Sequence, residues 1–140
     1  MSPWFILLVI GTIIAIAYGR YMYRPSWEYL RNRESNKKLW VEIYSSDNLS
    51  VVEDALNDIQ YAFLLRKEDI FRLRPDDLLL DIYRAVYPLQ GADALEFETL
   101  TLFLKEKGIP EKMLVELTSK TVGDIVNIYL ALRSNGTAQK

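Results

Sequence analysis

The side chains able to do chemistry in this sequence are carboxylates, lysines and hydroxyls, since the chain contains no cysteine and no histidine. Disulfides, thiolate metal sites, histidine-based triads and imidazole acid-base catalysis are therefore excluded. The sequence shows neither a glycine-rich phosphate loop nor a nucleophile paired with a base. It predicts a protein that is not an enzyme and that binds no cofactor and no small-molecule substrate.

One group of carboxylates is close enough in sequence to suggest a divalent metal site: Asp76, Asp77 and Asp81. Their spacing does not match a calcium-binding loop. The nearby Arg72, Arg74 and Arg84 offer these acids ion-pair partners instead. We interpret the group as a solvated turn and predict no metal site.

The segment Gly91-Ala92-Asp93-Ala94-Leu95-Glu96 reads as a loop followed by the start of a helix. Asp93 and Glu96 have the spacing of a capping box, in which each side chain accepts a hydrogen bond from the other residue's backbone N–H. The pair predicts a helix that starts at Ala94 and ends at Gly108, with a core side at Phe97, Leu100, Phe103 and Leu104. Taken alone, the segment is only the N-cap of a core helix.

Further amphipathic helices are predicted on both sides of this segment. Ser50 with Glu53, and Thr121 with Asp124, have the spacing of capping boxes. Apolar residues recur with helical period at Val52, Ala55, Leu56, Ile59, Ala62 and Phe63, and again at Val122, Ile125, Val126, Tyr129 and Leu132. With a short helical turn after Pro110, the head is predicted to be an all-α bundle of three main helices and one short helix.

The order of these elements resembles the acyl carrier protein family over roughly Ser50 to Leu132. The resemblance lies in Lys67-Glu68-Asp69-Ile70, Arg74-Pro75-Asp76-Asp77, the segment from Gly91 to Glu96, and Thr121-Val122-Gly123-Asp124. In that family the serine after the aspartate carries phosphopantetheine, and Ala94 occupies this position here. Because alanine has no oxygen to form the phosphodiester, the chain is either a carrier-like fold without cargo or a serine-to-alanine variant of a working carrier.

The resemblance also implies a protein partner with a basic patch, because the helix after the corner is the family's partner-binding helix. The residues that it assigns to partner binding are Asp93, Leu95, Glu96, Glu98 and Glu106. Lys105 and Lys107 depart from the more uniformly acidic helix of the family.

The N-terminal run from Pro3 to Gly19 contains no charged residue and predicts a single transmembrane helix. Its membrane-contacting residues would be Trp4, Phe5, Ile6, Leu7, Leu8, Val9, Ile10, Ile13, Ile14, Ile16 and Tyr18. Ala15-Ile16-Ala17 would also suit a cleaved signal peptide. Arg20 and Arg24 follow the run rather than precede it, which favours a retained anchor with a cytoplasmic C-terminal head in a bacterial inner membrane.

The sequence predicts four parts: a transmembrane anchor at 1–24, a basic juxtamembrane neck at 25–48, the carrier-like bundle at 49–133 and a flexible tail at 134–140. Pro25 suggests a break in helical structure, and residues 39–44 suit a helix or a short strand. The neck suits either a lipid headgroup region or a solvated linker. The residues after Tyr44 carry about five net negative charges, which argues against nucleic acid as a partner.

These features lead to the hypothesis of a membrane-anchored, non-enzymatic, acyl-carrier-like docking or regulatory module. Two alternatives remain open at this point. One is a functional tethered carrier, if the native residue at position 94 is serine. The other is a structural subunit of a membrane protein complex.

Overall fold

The computed structural model of the protein describes residues 2–86 and 95–137, apart from the side chains of residues 20–29, 86 and 137. Within these ranges the fold is all-α, with one isolated bridge between Leu78 and Thr121. The α-helices are α1 (Pro3–Arg31), α2 (Lys37–Tyr44), α3 (Leu49–Ala62), α4 (Leu79–Val86), α5 (Leu95–Glu106), α6 (Glu111–Leu114) and α7 (Val122–Thr137). Short 3₁₀ helices lie at Ser46–Asn48, Lys67–Arg72 and Leu117–Ser119.

The N-terminal helix α1 differs from the predicted anchor. It runs through Pro25, where a break was predicted, and ends at Arg31. In the part of the chain that the structure describes, no helix has a stretch long and apolar enough to cross a membrane. The uncharged run from Pro3 to Gly19 measures about 25 Å at 1.5 Å per residue, short of a hydrocarbon core of about 30 Å. The prediction of an N-terminal transmembrane helix is therefore wrong.

Part of the predicted neck lies inside the core of the head. Leu30 at the end of α1 is 3% exposed, and Trp40 in α2 is fully buried. The indole Nε1 of Trp40 donates a hydrogen bond to the carbonyl oxygen of Leu73 at 3.1 Å, which ties α2 to the connector after α3. Residues 39–44 are helical, and the ring of Trp40 stacks on that of Tyr44 with 5.7 Å between centroids. The hydrophobic core therefore includes residues from Leu30 onward.

The two long helices α3 and α7 form the centre of the head. Their predicted apolar faces are confirmed, since the buried residues include Val52, Ala55, Leu56, Ile59, Ala62, Phe63, Val122, Ile125, Val126 and Tyr129. Helix α3 contacts α2, α5 and α7, so the bundle packs around it. Each large apolar side chain buried in this way contributes roughly 1.5–3 kcal/mol.

The N-terminal ends of α3 and α7 are built differently. Thr121 and Asp124 form the predicted capping box of α7: the N–H of Asp124 donates to Thr121 Oγ1 at 3.1 Å, and the N–H of Thr121 donates to Asp124 Oδ2 at 2.9 Å. The predicted box at Ser50 and Glu53 is wrong, because α3 is already helical at Leu49. A 3₁₀ helix leads directly into α3, so its first turn continues an existing helical turn and Ser50 is not its cap.

A buried carboxylate, Asp77, joins the segment after α1 to the turn before α4. Asp77 is 7% exposed, and its Oδ2 accepts hydrogen bonds from Arg33 Nη1 at 2.6 Å and from the N–H of Arg74 at 2.8 Å. Its backbone oxygen accepts from the N–H of Val122 at 2.9 Å. The sequence predicted a solvated turn paired with neighbouring arginines. The ion pair instead comes from Arg33, 44 residues earlier, and together with the backbone hydrogen bond of Val122 it links the segment after α1, the turn and α7.

Candidate docking face

The helix that follows the predicted corner, α5, has a well-defined C-terminal end. Gly108 adopts a left-handed conformation with a φ of +85°, which ends the helix as predicted. The N–H of Gly108 donates to the carbonyl oxygen of Lys105 at 2.9 Å, and the N–H of Ile109 donates to that of Leu104 at 3.1 Å. This pair of hydrogen bonds is a Schellman motif. Residues 91–94 lie outside the described residues, so the structure of the corner itself stays a prediction.

Helix α5 has one buried side and one exposed side. Its buried side contains Phe97, Leu100 and Leu104, as predicted. On the opposite side, three and four residues apart, lie Leu95, Glu98, Leu102 and Glu106. The side chain of Leu95 is 66% exposed and that of Leu102 is 59% exposed. We call these four residues the α5 face, in which two leucines and two carboxylates share one strip of surface.

The two lysines at the end of α5 are held in ion pairs. Lys105 Nζ lies 3.1 Å from Glu111 Oε1, and Lys107 Nζ lies 3.0 Å from Asp58 Oδ2. Lys107 also sits over the ring of Tyr129, 4.6 Å from its centroid. Lys105 is exposed and borders the α5 face, three residues after Leu102, but both lysines are paired with acids outside α5 and neither is the partner of Glu98 or Glu106.

The carboxylates of the α5 face have no ion-pair partner within residues 2–86 and 95–137. Glu98 and Glu106 are both exposed there. At the water-exposed surface a carboxylate of this kind is available to a cation on another molecule. The α5 face therefore carries two exposed acids, Glu98 and Glu106, although α5 also contains lysine.

The other two residues predicted to bind a partner are not presented in the same way. Glu96 is half-buried, and its Oε2 is shielded from solvent and accepts no hydrogen bond from the described residues. Asp93 lies outside the described residues. Glu96 is therefore less accessible to a partner than Glu98 or Glu106, and its capping box with Asp93 stays a prediction.

An exposed aromatic side chain, Tyr61, borders this region and was missed from the sequence. Tyr61 is 65% exposed, yet its ring packs against that of Phe103, with 5.6 Å between centroids. Two residues after Tyr61, Phe63 packs edge-on against Phe97, with 5.3 Å between ring centroids. The end of α3 is thus fixed against α5 by aromatic contacts. Tyr61 lies off the apolar stripe of α3, which is the sequence signal that it is not a core residue.

Beyond the end of α5 lies a shallow, open cavity of about 480 Å³, between α3 and α7. Tyr129 in its lining donates a hydrogen bond from its hydroxyl to Asp58 Oδ2, the same atom that pairs with Lys107. Burial first, and this hydrogen bond second, raise the pKa of Tyr129 above its ordinary value. The three side chains fix α3, α5 and α7 to one another, and a tyrosine held protonated in this way is not a nucleophile at neutral pH.

The hydroxyl groups of α5 are committed to its own backbone. Thr99 Oγ1 donates to the carbonyl oxygen of Leu95 at 2.9 Å, and Thr101 Oγ1 donates to that of Phe97 at 2.7 Å. Neither threonine is presented at the start of the helix, which is where acyl carrier proteins have their modified serine.

Comparison with known proteins gave no match: no family model, no curated protein and no solved structure is detectably similar to this chain. The likeness to acyl carrier proteins therefore rests on the sequence segments described above, and it stays a prediction.

Proposed function

We propose that this protein is a non-enzymatic docking module whose α5 face recognises a protein partner carrying a basic patch. The observation that supports the proposal is that the lysines at the end of α5 are in ion pairs and its exposed glutamates are not. Lys105 and Lys107 are paired with Glu111 and Asp58, whereas Glu98 and Glu106 are exposed beside solvent-exposed leucines. A surface of this kind combines electrostatic attraction with apolar contact.

Each exposed charge pair across such an interface is worth only about 0.2–1 kcal/mol. The acids of the α5 face should therefore act mainly on the rate of association, and their effect should decline as salt shortens the Debye length to about 8 Å at physiological ionic strength. The apolar contacts should act mainly on the rate of dissociation.

Site-specific cross-linking in the native host tests whether the α5 face is a docking surface. A photo-reactive residue at Leu102 is expected to form a covalent adduct with a defined protein. The same residue at Ile43 is the control, because Ile43 is also exposed but lies on α2. Adducts of equal yield at both positions, or none at Leu102, would contradict the proposal.

Neutralising the acids tests the electrostatic part of the proposal. The double substitution Glu98→Gln and Glu106→Gln should slow association with the cross-linked partner by about three- to tenfold at low salt and should flatten its salt dependence. The control is the double substitution Glu34→Gln and Glu42→Gln, which changes the net charge by the same amount. Both control residues are exposed and lie far from α5 in sequence. A partner that binds the first variant as well as the second, and that stays bound in high salt, would indicate a structural subunit instead.

A further inference from the structure

We infer that the partner segment bound by the α5 face is an amphipathic helix with basic residues bordering its apolar strip, and that Tyr61 forms one wall of its binding site. The inference rests on the proposed docking function and specifies the class of ligand. It follows from the spacing of the exposed leucines, the fixed position of Tyr61 and the sign of the charges.

The spacing on α5 suits a helix lying along it. Leu95 and Leu102 are seven residues apart, so they lie on one line two turns from each other. This is the repeat with which apolar residues recur in a partner helix packed at a shallow angle. Helix α5 is about 18 Å long, which matches roughly three turns of such a helix.

Tyr61 extends this apolar strip sideways, onto α3. Phe103 lies on the flank of α5 between the α5 face and α3, and the ring of Tyr61 rests on it. Because its ring is already held by Phe103 while 65% of the residue is exposed, Tyr61 would lose little side-chain freedom when a partner covers it. A pre-positioned aromatic ring of this kind is typical of residues that dominate binding energy.

The charges determine which occupant fits. Glu98 and Glu106 are two turns apart and flank Leu102, so basic residues spaced in the same way on a partner helix would lie opposite them. A second copy of this chain would place the same two acids against each other, and an anionic lipid surface would also be repelled. The complementary ligand is therefore a basic amphipathic helix from another protein.

A synthetic peptide tests the inference on the full-length protein. The probe is a fluorescein-labelled peptide of about 18 residues with leucines at heptad positions a and d and lysines beside them. The control peptide has the same composition in scrambled order, so that its leucines share no face. We expect the amphipathic peptide to bind at least about tenfold more tightly by fluorescence anisotropy and to gain helical circular dichroism on binding. Equal affinities for the two peptides would overturn the inference.

Substitutions locate the binding site. Leu102→Ser and Tyr61→Ala should each weaken peptide binding about five- to tenfold, whereas Ile43→Ser, which removes an equally exposed apolar side chain from α2, should change it less than about twofold. Leu102 is exposed, so its substitution should leave the urea midpoint unchanged, and this variant decides the test if Tyr61→Ala destabilises the fold. Unchanged peptide binding by Leu102→Ser would overturn the inference.

The two proposals can fail separately. If cross-linking at Leu102 captures a protein but the two peptides bind alike, docking at the α5 face stands and the helical ligand is wrong. If no protein is captured at Leu102, the docking function itself is wrong.

Discussion

Replacing the buried Asp77 with alanine should be among the most destabilising single substitutions of a polar residue in the head. Asp77 is 7% exposed, and the side chain of its partner Arg33 is 19% exposed. Removing one member of a buried ion pair costs about 3–5 kcal/mol, because the attraction that offset the desolvation of the other charge is lost. Since Arg33 still reaches some solvent, we expect the free energy of unfolding to fall by about 3 kcal/mol, the lower end of that range.

The hydrogen bonds at this carboxylate give a similar figure. Asp77 Oδ2 accepts from Arg33 Nη1 at 2.6 Å and from the N–H of Arg74 at 2.8 Å. Asp77→Ala removes the acceptor of both hydrogen bonds, and losing the acceptor of a buried donor costs about 1–3 kcal/mol. Asp77→Asn keeps an oxygen for the N–H of Arg74 and removes only the charge, so it should cost about half as much as Asp77→Ala.

Urea unfolding followed by circular dichroism measures this effect. With a slope of about 2 kcal/mol per molar urea, a loss of about 3 kcal/mol lowers the midpoint by about 1.5 M. The matched control is Glu42→Ala, which breaks the pair of Lys38 and Glu42, 4.0 Å apart with side chains 86% and 61% exposed. That surface pair should contribute no more than about 0.5 kcal/mol. Equal losses for Asp77→Ala and Glu42→Ala would refute the argument that burial decides the value of the pair.

Three further predictions concern the backbone and the alkaline limit of stability. Gly123→Ala should lower the free energy of unfolding by about 1–3 kcal/mol, because a Cβ there would lie 2.8 Å from the carbonyl oxygen of Pro75. Gly136→Ala, which has open space around it, should not lower it, and the urea midpoints of both variants check this. Leu64→Gly should raise the free energy of unfolding by about 0.5–1 kcal/mol, because Leu64 is 67% exposed and is held at a φ of +55°. The urea midpoint should rise accordingly, and a lower midpoint would show that the leucine makes favourable contacts. Because the pKa of Tyr129 is raised in the folded state, the unfolded chain ionises first, so stability should fall as the pH rises above about 10. Tyr129→Phe should flatten that fall by up to about 1.4 kcal/mol per pH unit, measured by urea unfolding across the alkaline range.

The features that could be predicted from the sequence are those fixed by neighbours along the chain. The apolar faces of α3 and α7 follow from helical periodicity, and the box of Thr121 and Asp124 joins groups three residues apart. The glycine that ends α5 is equally local, because a left-handed conformation at Gly108 needs no information from elsewhere.

The features that were missed depend on residues distant in sequence. Trp40 lies in the predicted basic neck, but its indole is buried and donates a hydrogen bond to the carbonyl oxygen of Leu73, 33 residues away. Asp77 has arginines beside it in sequence, yet its partner is Arg33. The end of α7 also differs from the prediction, because the helix continues to Thr137 and the tail was predicted to begin after Arg133. Pairings of this kind cannot be read from local patterns, because several neighbours satisfy the same charge or shape.

The charge that α5 presents at the proposed site also depends on residues outside the helix. Counted along the sequence, its glutamates are nearly balanced by Lys105 and Lys107, so the helix looked less acidic than a partner-binding helix should be. In the folded chain, the two lysines are bound by Glu111 and Asp58, which belong to other elements. Glu111 and Asp58 therefore offset the charges of the two lysines, while Glu98 and Glu106 have no ion-pair partner among the described residues. Net charge along a helix and charge on its exposed face are different quantities, and recognition depends on the second.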